Sequence, residues 1–263
     1  MIAIISLHDD VIKAPTPAEK EDTKCWVKKQ VCPAWQNGYL SIDGTTFNLF
    51  QKPSHYGETF YDRKSNYSIN AQVVTLPHNL KIVDYCVGHT GSTHNASAFL
   101  DTGLRTQPEL FLGPGEWIWA DSAYPLSATS LFKQPPGRSL TTRQSQFNYH
   151  LSCIRIRCEY AIGLLKIQFQ SLKELCIQIN TENKLEFAVA WIRCCIILHN
   201  LIIEGNQAEN TITIPSDWQQ GAQDNGGMDI DMDTDELESE IPENPNQDLR
   251  QSLFNSLFNS HLY

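Results

Sequence analysis

Apolar residues recur at every third or fourth position between residues 151 and 176, in the segment LSCIRIRCEYAIGLLKIQFQSLKELC. This spacing gathers them on one face of a helix and predicts that this face packs into a core. Glu159 stands one step off the apolar stripe, and a carboxylate at the edge of a buried face needs a partner. Arg155, one turn earlier, would pair with it at the surface. The alternative partner is a divalent metal ion shared with other carboxylates.

Three segments in the first half of the chain have the composition of strands. They are residues 39–50, with Gly44 as a turn or bulge, residues 67–76 and residues 81–88. All three are rich in β-branched and aromatic side chains, which are typical of strands. Together they predict an antiparallel meander of three strands.

Four further segments complete the predicted architecture. The capping box TPAE, with proline at the first helical position, predicts a helix over residues 17–29. Residues 117–120 are a short apolar run typical of a buried strand. Residues 127–145 are rich in Ser, Thr and Pro, and we expect a loop there. Residues 184–203 are apolar nearly all round, which predicts a helix buried on more than one side.

The composition changes beyond Gly205, where Asn, Gln, Asp, Glu and Gly replace apolar residues. Such a segment buries too little apolar area to offset its ordering entropy, so residues 205–263 are expected to form an acidic, disordered tail. The repeat SLFNSLFNS places leucine and phenylalanine on one helical face. We interpret it as a loose apolar tip, with a docking peptide as the alternative. Residues 1–38 are then a helical lead-in, and residues 39–204 are the α/β domain.

The net charge of −10 is unevenly distributed along the chain. From Glu204 onward there are 13 Asp or Glu residues and one Arg, so the rest of the chain carries a charge of +2. This weakly basic part is compatible with an anionic partner such as DNA.

Membrane and secretory functions are not expected from the sequence. No apolar run reaches the ~18 residues of a membrane span, and residues 1–7 lack the basic leader of a signal peptide. The eight cysteines include no CxxC motif, which fits a reducing, intracellular compartment. Cys195 with His199, and His89 with His94, have spacings that a metal would accept. We interpret them as ordinary buried or loop residues and expect no zinc there.

Three acids occupy positions where a mixed α/β fold commonly places its chemistry. Asp43 lies in the first strand, Asp121 follows the apolar run, and Glu159 is on the long helix; strand ends facing a helix are typical ligand sites. Converging carboxylates repel one another, and Mg²⁺ or Mn²⁺, which prefer oxygen ligands, would remove that cost. Two such ions can activate the attacking oxygen and stabilise the leaving oxygen of a phosphodiester. Each acid also has a structural interpretation, as a turn, a helix cap and a partner of Arg155, respectively.

Six motifs, in order along the chain, resemble the catalytic domain of the PIF/Harbinger transposases, which are DDE superfamily endonucleases with a ribonuclease H-like fold. The motifs are IDGT at 42–45, DRKSNYSINAQVV at 62–74, GHTGSTHN at 88–95, ADSAYP at 120–125, RCEYAIGLLK at 157–166 and LHNL at 198–201. The resemblance covers about residues 10–204.

This resemblance implies a mixed central sheet flanked by helices, a nuclear location and a DNA substrate. It implies that Asp43, Asp121 and Glu159 are the catalytic, metal-binding residues of a two-metal site for Mg²⁺ or Mn²⁺. Water, and then a DNA 3′ hydroxyl, would be the nucleophile. A separate DNA-binding accessory protein and a homo-oligomer are compatible with it, whereas a membrane partner is not.

Several departures from the family pattern bear on activity. His94-Asn95 stands where the family usually has His-Asp, so a carboxylate is lost, and both residues are kept as candidate accessory residues. Ile167-Gln168-Phe169 replaces a common Gly-Arg-Phe and loses a positive charge. The upstream helical region of the family is longer than residues 1–42. The alternative function is therefore a catalytically impaired, domesticated derivative that binds DNA or protein; an unselected remnant is a third possibility.

Cations near the acids would meet DNA phosphates. The predicted DNA-binding residues are Lys52, Arg63, Lys64, Arg138, Arg143, Arg155, Arg157 and Lys166. A solvated surface is the alternative for each of them. No helix-turn-helix or zinc-finger spacing occurs in the sequence, so we expect weak sequence specificity.

Overall fold

The structure, a computed structural model, describes residues 1–120, 124, 130–131, 141–208 and 246–259, without side-chain detail at 130–131, 207–208 and 246–248. Its helices are α1 (Ile2–Ile5), α2 (His8–Val11), α3 (Pro17–Gln30), α4 (Asn95–Phe99), α5 (Gly103–Thr106), α6 (Pro108–Phe111), α7 (Thr142–Gln168), α8 (Glu182–Ala208) and α9 (Asn246–Asn259). Its strands are β1 (Gly38–Leu49), β2 (Ser68–Thr75), β3 (Ile82–Thr90), β4 (Trp117–Trp119), β5 (Ser130–Leu131) and β6 (Glu174–Leu175). Short 3₁₀ helices cover Pro33–Trp35, Gly57–Phe60 and Gln170–Leu172.

The strands form one mixed sheet in the order β3-β2-β1-β4-β5, and β6 adds to the far end of β1. Strand β2 is antiparallel to both β1 and β3, so the predicted meander is confirmed. Strands β4 and β6 pair with β1 in parallel, and β5 pairs with β4 in parallel. Gly44 is not a turn, because it is a regularly paired residue of β1 opposite Gln72.

Helices cover the two faces of this sheet. One face packs against α7 and α8 through a core that includes Phe47, Ile69, Ala71, Val73, Cys158, Ile162, Leu165, Ala188, Ile192 and Ile196. The other face packs against α4, α5 and α6 through Ile42, Val74, Leu76, Val83, Phe99, Leu104, Phe111 and Ile118. Side chains alternate along a strand, so Asp43 shares the face of Phe47, toward α7.

Helix α7 begins and ends earlier than the apolar stripe predicts. It starts with a capping box in which the Thr141 hydroxyl accepts from the Gln144 N–H at 3.2 Å and the Gln144 side chain accepts from the Thr141 N–H at 2.9 Å. The stripe is sparse in this first part, so periodicity alone missed it. The chain leaves the helix at Phe169, which allows β6 to pair with β1.

Helix α8 is the most apolar of the long helices that the structure describes, and it packs on the sheet. By length and composition its segment from Glu182 to Asn206 is apolar enough to cross a membrane, contrary to the sequence expectation. Half of the most apolar 18-residue stretch of this segment is buried within the protein. The Asn200 amide ties the helix to the sheet edge: it donates to the Ile82 carbonyl at 2.6 Å and accepts from the Ile82 N–H at 2.9 Å. An edge strand thereby has its backbone groups satisfied by a side chain.

Residues 246–259 form helix α9, which corrects the expectation of a disordered tail for this segment. Leu253 and Leu257 are 3% and 1% exposed and pack into a cluster with Trp35, Trp119 and Phe147. The Trp35 indole N–H donates to the Leu253 carbonyl at 3.2 Å. This part of the tail therefore packs on the domain. Burial of its one apolar helical face offsets the conformational entropy lost on folding, which the surrounding acidic segment cannot offset.

We expect the double change Leu253→Ala with Leu257→Ala to detach α9 and lower the melting temperature. Truncating a buried leucine costs about 2 to 5 kcal/mol in a packed core, which is large for a single docked helix. Circular dichroism melts and limited proteolysis would measure the loss. Ser252→Ala, at an exposed position of the same helix, is the control. Equal melts and cleavage patterns for all three proteins would contradict this docking.

His199 anchors α8 at two points inside the core. Its ring nitrogens contact the Gln168 side chain at 2.7 Å and the Leu80 carbonyl at 3.1 Å. Burial lowers the pKa of His199 from 6.5 to about 4, although the Leu80 carbonyl opposes this shift. The folded protein therefore holds this ring neutral at pH values where the unfolded chain binds a proton.

The neutral His199 ring makes folding pH-dependent. Its contribution to the free energy of unfolding is present above pH 6.5 and is lost as the pH falls from 6.5 toward 4, up to about 3 kcal/mol. His199→Gln removes this group, so the difference in unfolding free energy between parent and variant should shrink between pH 7.5 and pH 4.5. Urea titrations at both pH values measure it. A difference that does not change with pH would show that the ring does not titrate as inferred.

Candidate functional site

The carboxylates of Asp43 and Glu159 both lie near the thiol of Cys158. Asp43 in β1 stands opposite Val73 of β2, and the Cys158 thiol in α7 donates to the Val73 carbonyl at 3.5 Å. Burial raises the pKa of Cys158, and the charges of Asp43 and, less strongly, Glu159 raise it further. Both carboxylates are therefore within electrostatic reach of one sulfur atom. The structure thus places Asp43 on the strand that lies near Cys158, and Glu159 is the residue that follows Cys158 in α7.

The two carboxylates lie at the edge of the core, where solvent reaches them. Asp43 is half-buried, and its Oδ1 accepts from the Gly44 N–H at 2.9 Å. Glu159 is exposed. Such a pair combines a fixed acid on a strand with an accessible acid on a helix, which suits a site that must admit an ion and a large substrate.

Lys166 holds α7 against β1 beside these acids. It lies about two turns beyond Glu159 along α7, and its ammonium donates to the Thr45 hydroxyl and the Thr46 carbonyl, each at 2.9 Å. Burial lowers the pKa of Lys166 to about 8, with a smaller contribution from the charge of Lys64. Lys166 was predicted as a DNA contact, but its ammonium is engaged by the strand that carries Asp43. Lys166 therefore fixes α7 to β1, and its contact with DNA stays a prediction.

Asn95 packs against β1 from the opposite face of the sheet. A Cβ atom at Gly44 would lie 2.7 Å from the Asn95 Oδ1 and 2.8 Å from its Cγ. Because side chains alternate along a strand, position 44 and Asp43 face opposite sides of the sheet. Asn95, which contacts position 44, therefore lies on the other side of β1 from the Asp43 side chain. Asn95 therefore supports the strand rather than sharing the face of Asp43.

A network of amide side chains holds Asn95 in this place. Its Oδ1 accepts from the Gln72 amide at 3.1 Å and from the Asn70 amide at 3.5 Å, and Gln72 also donates to Asn70 at 2.9 Å. The Tyr124 hydroxyl donates to Gln72. The sequence analysis did not predict this network. The only sign of it in the sequence is the pair Asn70 and Gln72, two amide residues at alternate positions of an apolar strand.

Asp121 lies outside the described residues, and so does Arg138. Strand β4 ends at Trp119, which stands opposite Ser41 of β1 in a parallel pair. Ala120 is fully buried with the core of the second face.

Three of the predicted DNA-binding residues are exposed and lie on the connection between β1 and β2. Lys52 forms an ion pair with Glu58. The Arg63 guanidinium donates to the His94 Nδ1 at 2.5 Å, and the charge of Lys64 acts on Lys166. Arg63 and Lys64 are adjacent cations, and Lys64 is close enough to Lys166 for its charge to act on it. We call these two residues, together with the His94 ring that accepts from Arg63, the basic rim.

The other predicted cations on α7 have structural surroundings. Arg157 is buried, and its guanidinium donates to the Pro77 carbonyl at 2.7 Å and lies 5.4 Å over the Trp26 ring. Arg155 is 7% exposed, and its charge acts on the Cys158 thiol. Arg143 lies over the ring of Phe258 in α9, about 24 Å along the helix from Glu159. We therefore leave these three arginines out of the basic rim.

The comparison with protein families decides how this geometry is interpreted. Residues 42–200 match the model of the family described as DDE superfamily endonuclease, which spans more than half of the chain. The chain belongs to this family. A search of curated proteins and a search of solved structures each gave no match. The matched region contains Asp43, Asp121 and Glu159.

Membership in the DDE superfamily endonucleases supports a transposase-like nuclease function with DNA as its substrate. The superfamily generally uses divalent metal ions. The mixed sheet flanked by helices is consistent with the fold of such a nuclease.

We expect Gly44→Ala to destabilise the DDE endonuclease by about 1 to 3 kcal/mol, because the new methyl group would overlap the Asn95 amide. Asn95→Ala should also destabilise it by removing one of the two acceptors of the Gln72 amide, so that Asn70 alone is left. The double variant relieves the overlap, so it should lose less stability than the sum of the two single changes. Chemical denaturation of the four proteins measures this coupling. Strict additivity would show that the two residues do not touch.

Proposed function

We propose that this DDE endonuclease cuts DNA phosphodiester bonds with Mg²⁺ or Mn²⁺ at a site formed by Asp43, Asp121 and Glu159. The observation that carries the proposal is the position of Asp43 near Cys158, the residue that directly precedes Glu159 in α7, within the matched region. The PIF/Harbinger subtype, the ribonuclease H-like fold and a nuclear location are parts of the same proposal. They rest on the six sequence motifs.

The role of Asp121 rests on its spacing from a described pair. Ser41 and Trp119 stand opposite each other in parallel neighbouring strands. Asp43 follows Ser41 by two residues, and Asp121 follows Trp119 by two residues. This equal spacing supports Asp121 as the third acid of the site.

The chemistry of these residues fits a divalent metal ion. Asp43 and Glu159 offer carboxylate oxygens at an accessible edge of the fold, and such oxygens are the ligands that Mg²⁺ and Mn²⁺ prefer. When bound there, a pair of ions would stabilise the charges of the attacking and leaving oxygens in a phosphodiester displacement.

The protein's own contribution is to hold the acids in a fixed relation before DNA arrives. Lys166 ties α7, which carries Glu159, to Thr45, and Asn95 supports β1 from behind. Such preorganisation avoids rearrangement during the reaction. The basic rim of Arg63, Lys64 and His94 would receive the DNA backbone by charge attraction.

The proposal predicts that Asp43→Asn, Asp121→Asn and Glu159→Gln each lower Mn²⁺-dependent nicking of supercoiled plasmid by at least about a hundredfold, or ~2.7 kcal/mol. Each change removes one anionic ligand while keeping the shape of the side chain. Glu186→Gln, at an exposed position of α8, should nick like the parent. Circular dichroism confirms that all variants fold. Full activity in any of the three acid variants would refute the assignment of that residue.

A second function, that of a catalytically impaired DNA-binding or protein-binding derivative, is favoured by Asn95 at the place where the family usually has Asp. In that case the folded parent shows no nicking with either metal ion. Arg63→Ala with Lys64→Ala should still weaken binding to a fluorescent DNA duplex and flatten its salt dependence. DNA binding without cleavage would therefore decide for this second function.

A further inference from the structure

Cys86, His89 and Asp101 form a cluster of potential metal ligands outside the proposed nuclease site. One ligand atom from each side chain lies within 4.8 Å of the other two. The His89 Nε2 is 3.0 Å from the Asp101 Oδ2. Sulfur, imidazole nitrogen and carboxylate oxygen are the three donor types that Zn²⁺ accepts in proteins.

A bulge in β3 brings the first two ligands to one face of the sheet. Asn70 stands opposite His89 and Ala71 stands opposite Val87, so Gly88 is an extra residue in β3. Its φ of +120° is one that glycine adopts without strain. In a regular strand, residues three apart would face opposite sides. The extra residue reverses the alternation, so Cys86 and His89 face the same side.

The third ligand comes from the connection between α4 and α5, which is anchored to β3 separately. The Asp84 carboxylate in β3 accepts from the Leu104 N–H at 2.7 Å. Just before Leu104, the Thr102 hydroxyl accepts from the Arg105 N–H and so caps α5. Asp101 directly precedes this capped turn, so the backbone already holds it beside His89.

We propose that Cys86, His89 and Asp101 bind a Zn²⁺ ion. Three protein ligands of this kind would leave a fourth coordination position for water. The side chains of His89 and Asp101 are 26% and 64% exposed, so an ion can enter from solvent. The donor set differs from the carboxylates of the nuclease site, and the sulfur and nitrogen favour a transition metal over Mg²⁺.

Such an ion would fasten β3 to the connection that follows α4. Helix α4 begins at Asn95, which supports β1 behind Asp43. The zinc site would thus stabilise α4, whose Asn95 packs behind the nuclease site, without taking part in the chemistry of that site.

The test is a titration of the metal-free, full-length chain with Co²⁺, which replaces Zn²⁺ and gives a near-ultraviolet thiolate-to-cobalt charge-transfer band. We expect one equivalent to produce this band. Cys86→Ser should abolish it, and Asp101→Asn, an exposed change that leaves the fold intact, should weaken binding at least about tenfold. Cys176→Ser, at an exposed cysteine elsewhere, and the pair Asp43→Asn with Glu159→Gln should keep the band.

A second measurement uses Zn²⁺ itself. Zinc should raise the melting temperature of the parent and of Cys176→Ser more than that of Asp101→Asn, since stabilisation of the native state grows with the affinity of the ligand for it. The proposal is overturned if the parent shows no charge-transfer band, if the band survives Cys86→Ser, or if zinc stabilises Asp101→Asn as much as the parent.

Discussion

The packing of α7 on β1 is the constraint on which the rest of the site depends. The Cys158 thiol donates to the Val73 carbonyl, and the Lys166 ammonium donates to Thr45 and Thr46. The helix is therefore bound to the sheet at two points along its length. A strand carries one acid and the helix carries the other, and neither element alone brings them together. The register between helix and strand therefore determines the distance between Asp43 and Glu159.

This contact is made of groups that are costly to bury alone. The thiol of Cys158 and the ammonium of Lys166 both find a carbonyl or hydroxyl partner on the strand side, which offsets their desolvation. On the other face of the sheet, amides do the same for Asn95. Polar interactions thus fix the strand from both sides, whereas the apolar clusters supply most of the bulk stability.

Sequence patterns predicted those helices and strands that are specified by neighbouring residues in the chain. The capping box predicted α3, and β-branched runs predicted β1, β2 and β3. The first third of α7 was missed because the capping box marks its start and the apolar stripe does not extend to it. The burial of Arg157 was missed as well, although it follows the apolar Ile154 by three residues, the spacing of one helical face. The helical order of α9 was hidden by the acidic composition around it.

The proposed grouping of Asp43 and Glu159 in one site could not be derived from periodicity, because the two residues are far apart in the chain and no local pattern specifies which helix covers which strand. It was predicted first from the positions of the acids at strand ends and on the long helix, and more specifically from the resemblance of six motifs to one family. The amide network could be inferred even less, since hydrogen bonds between Gln72 and Asn95 depend on how β2 and α4 face each other. Such long-range relations are properties of the packed molecule.

The network of amide side chains around Asn95 has an implication for how this site can change over evolution. The two donors from Gln72 and Asn70 meet an oxygen atom, and an aspartate would present an oxygen of the same size at the same point. Exchange between asparagine and aspartate there would alter the electric field behind β1 while the outline of the side chain stayed constant. Lineages carrying either residue can therefore share one backbone and differ in how strongly they attract cations.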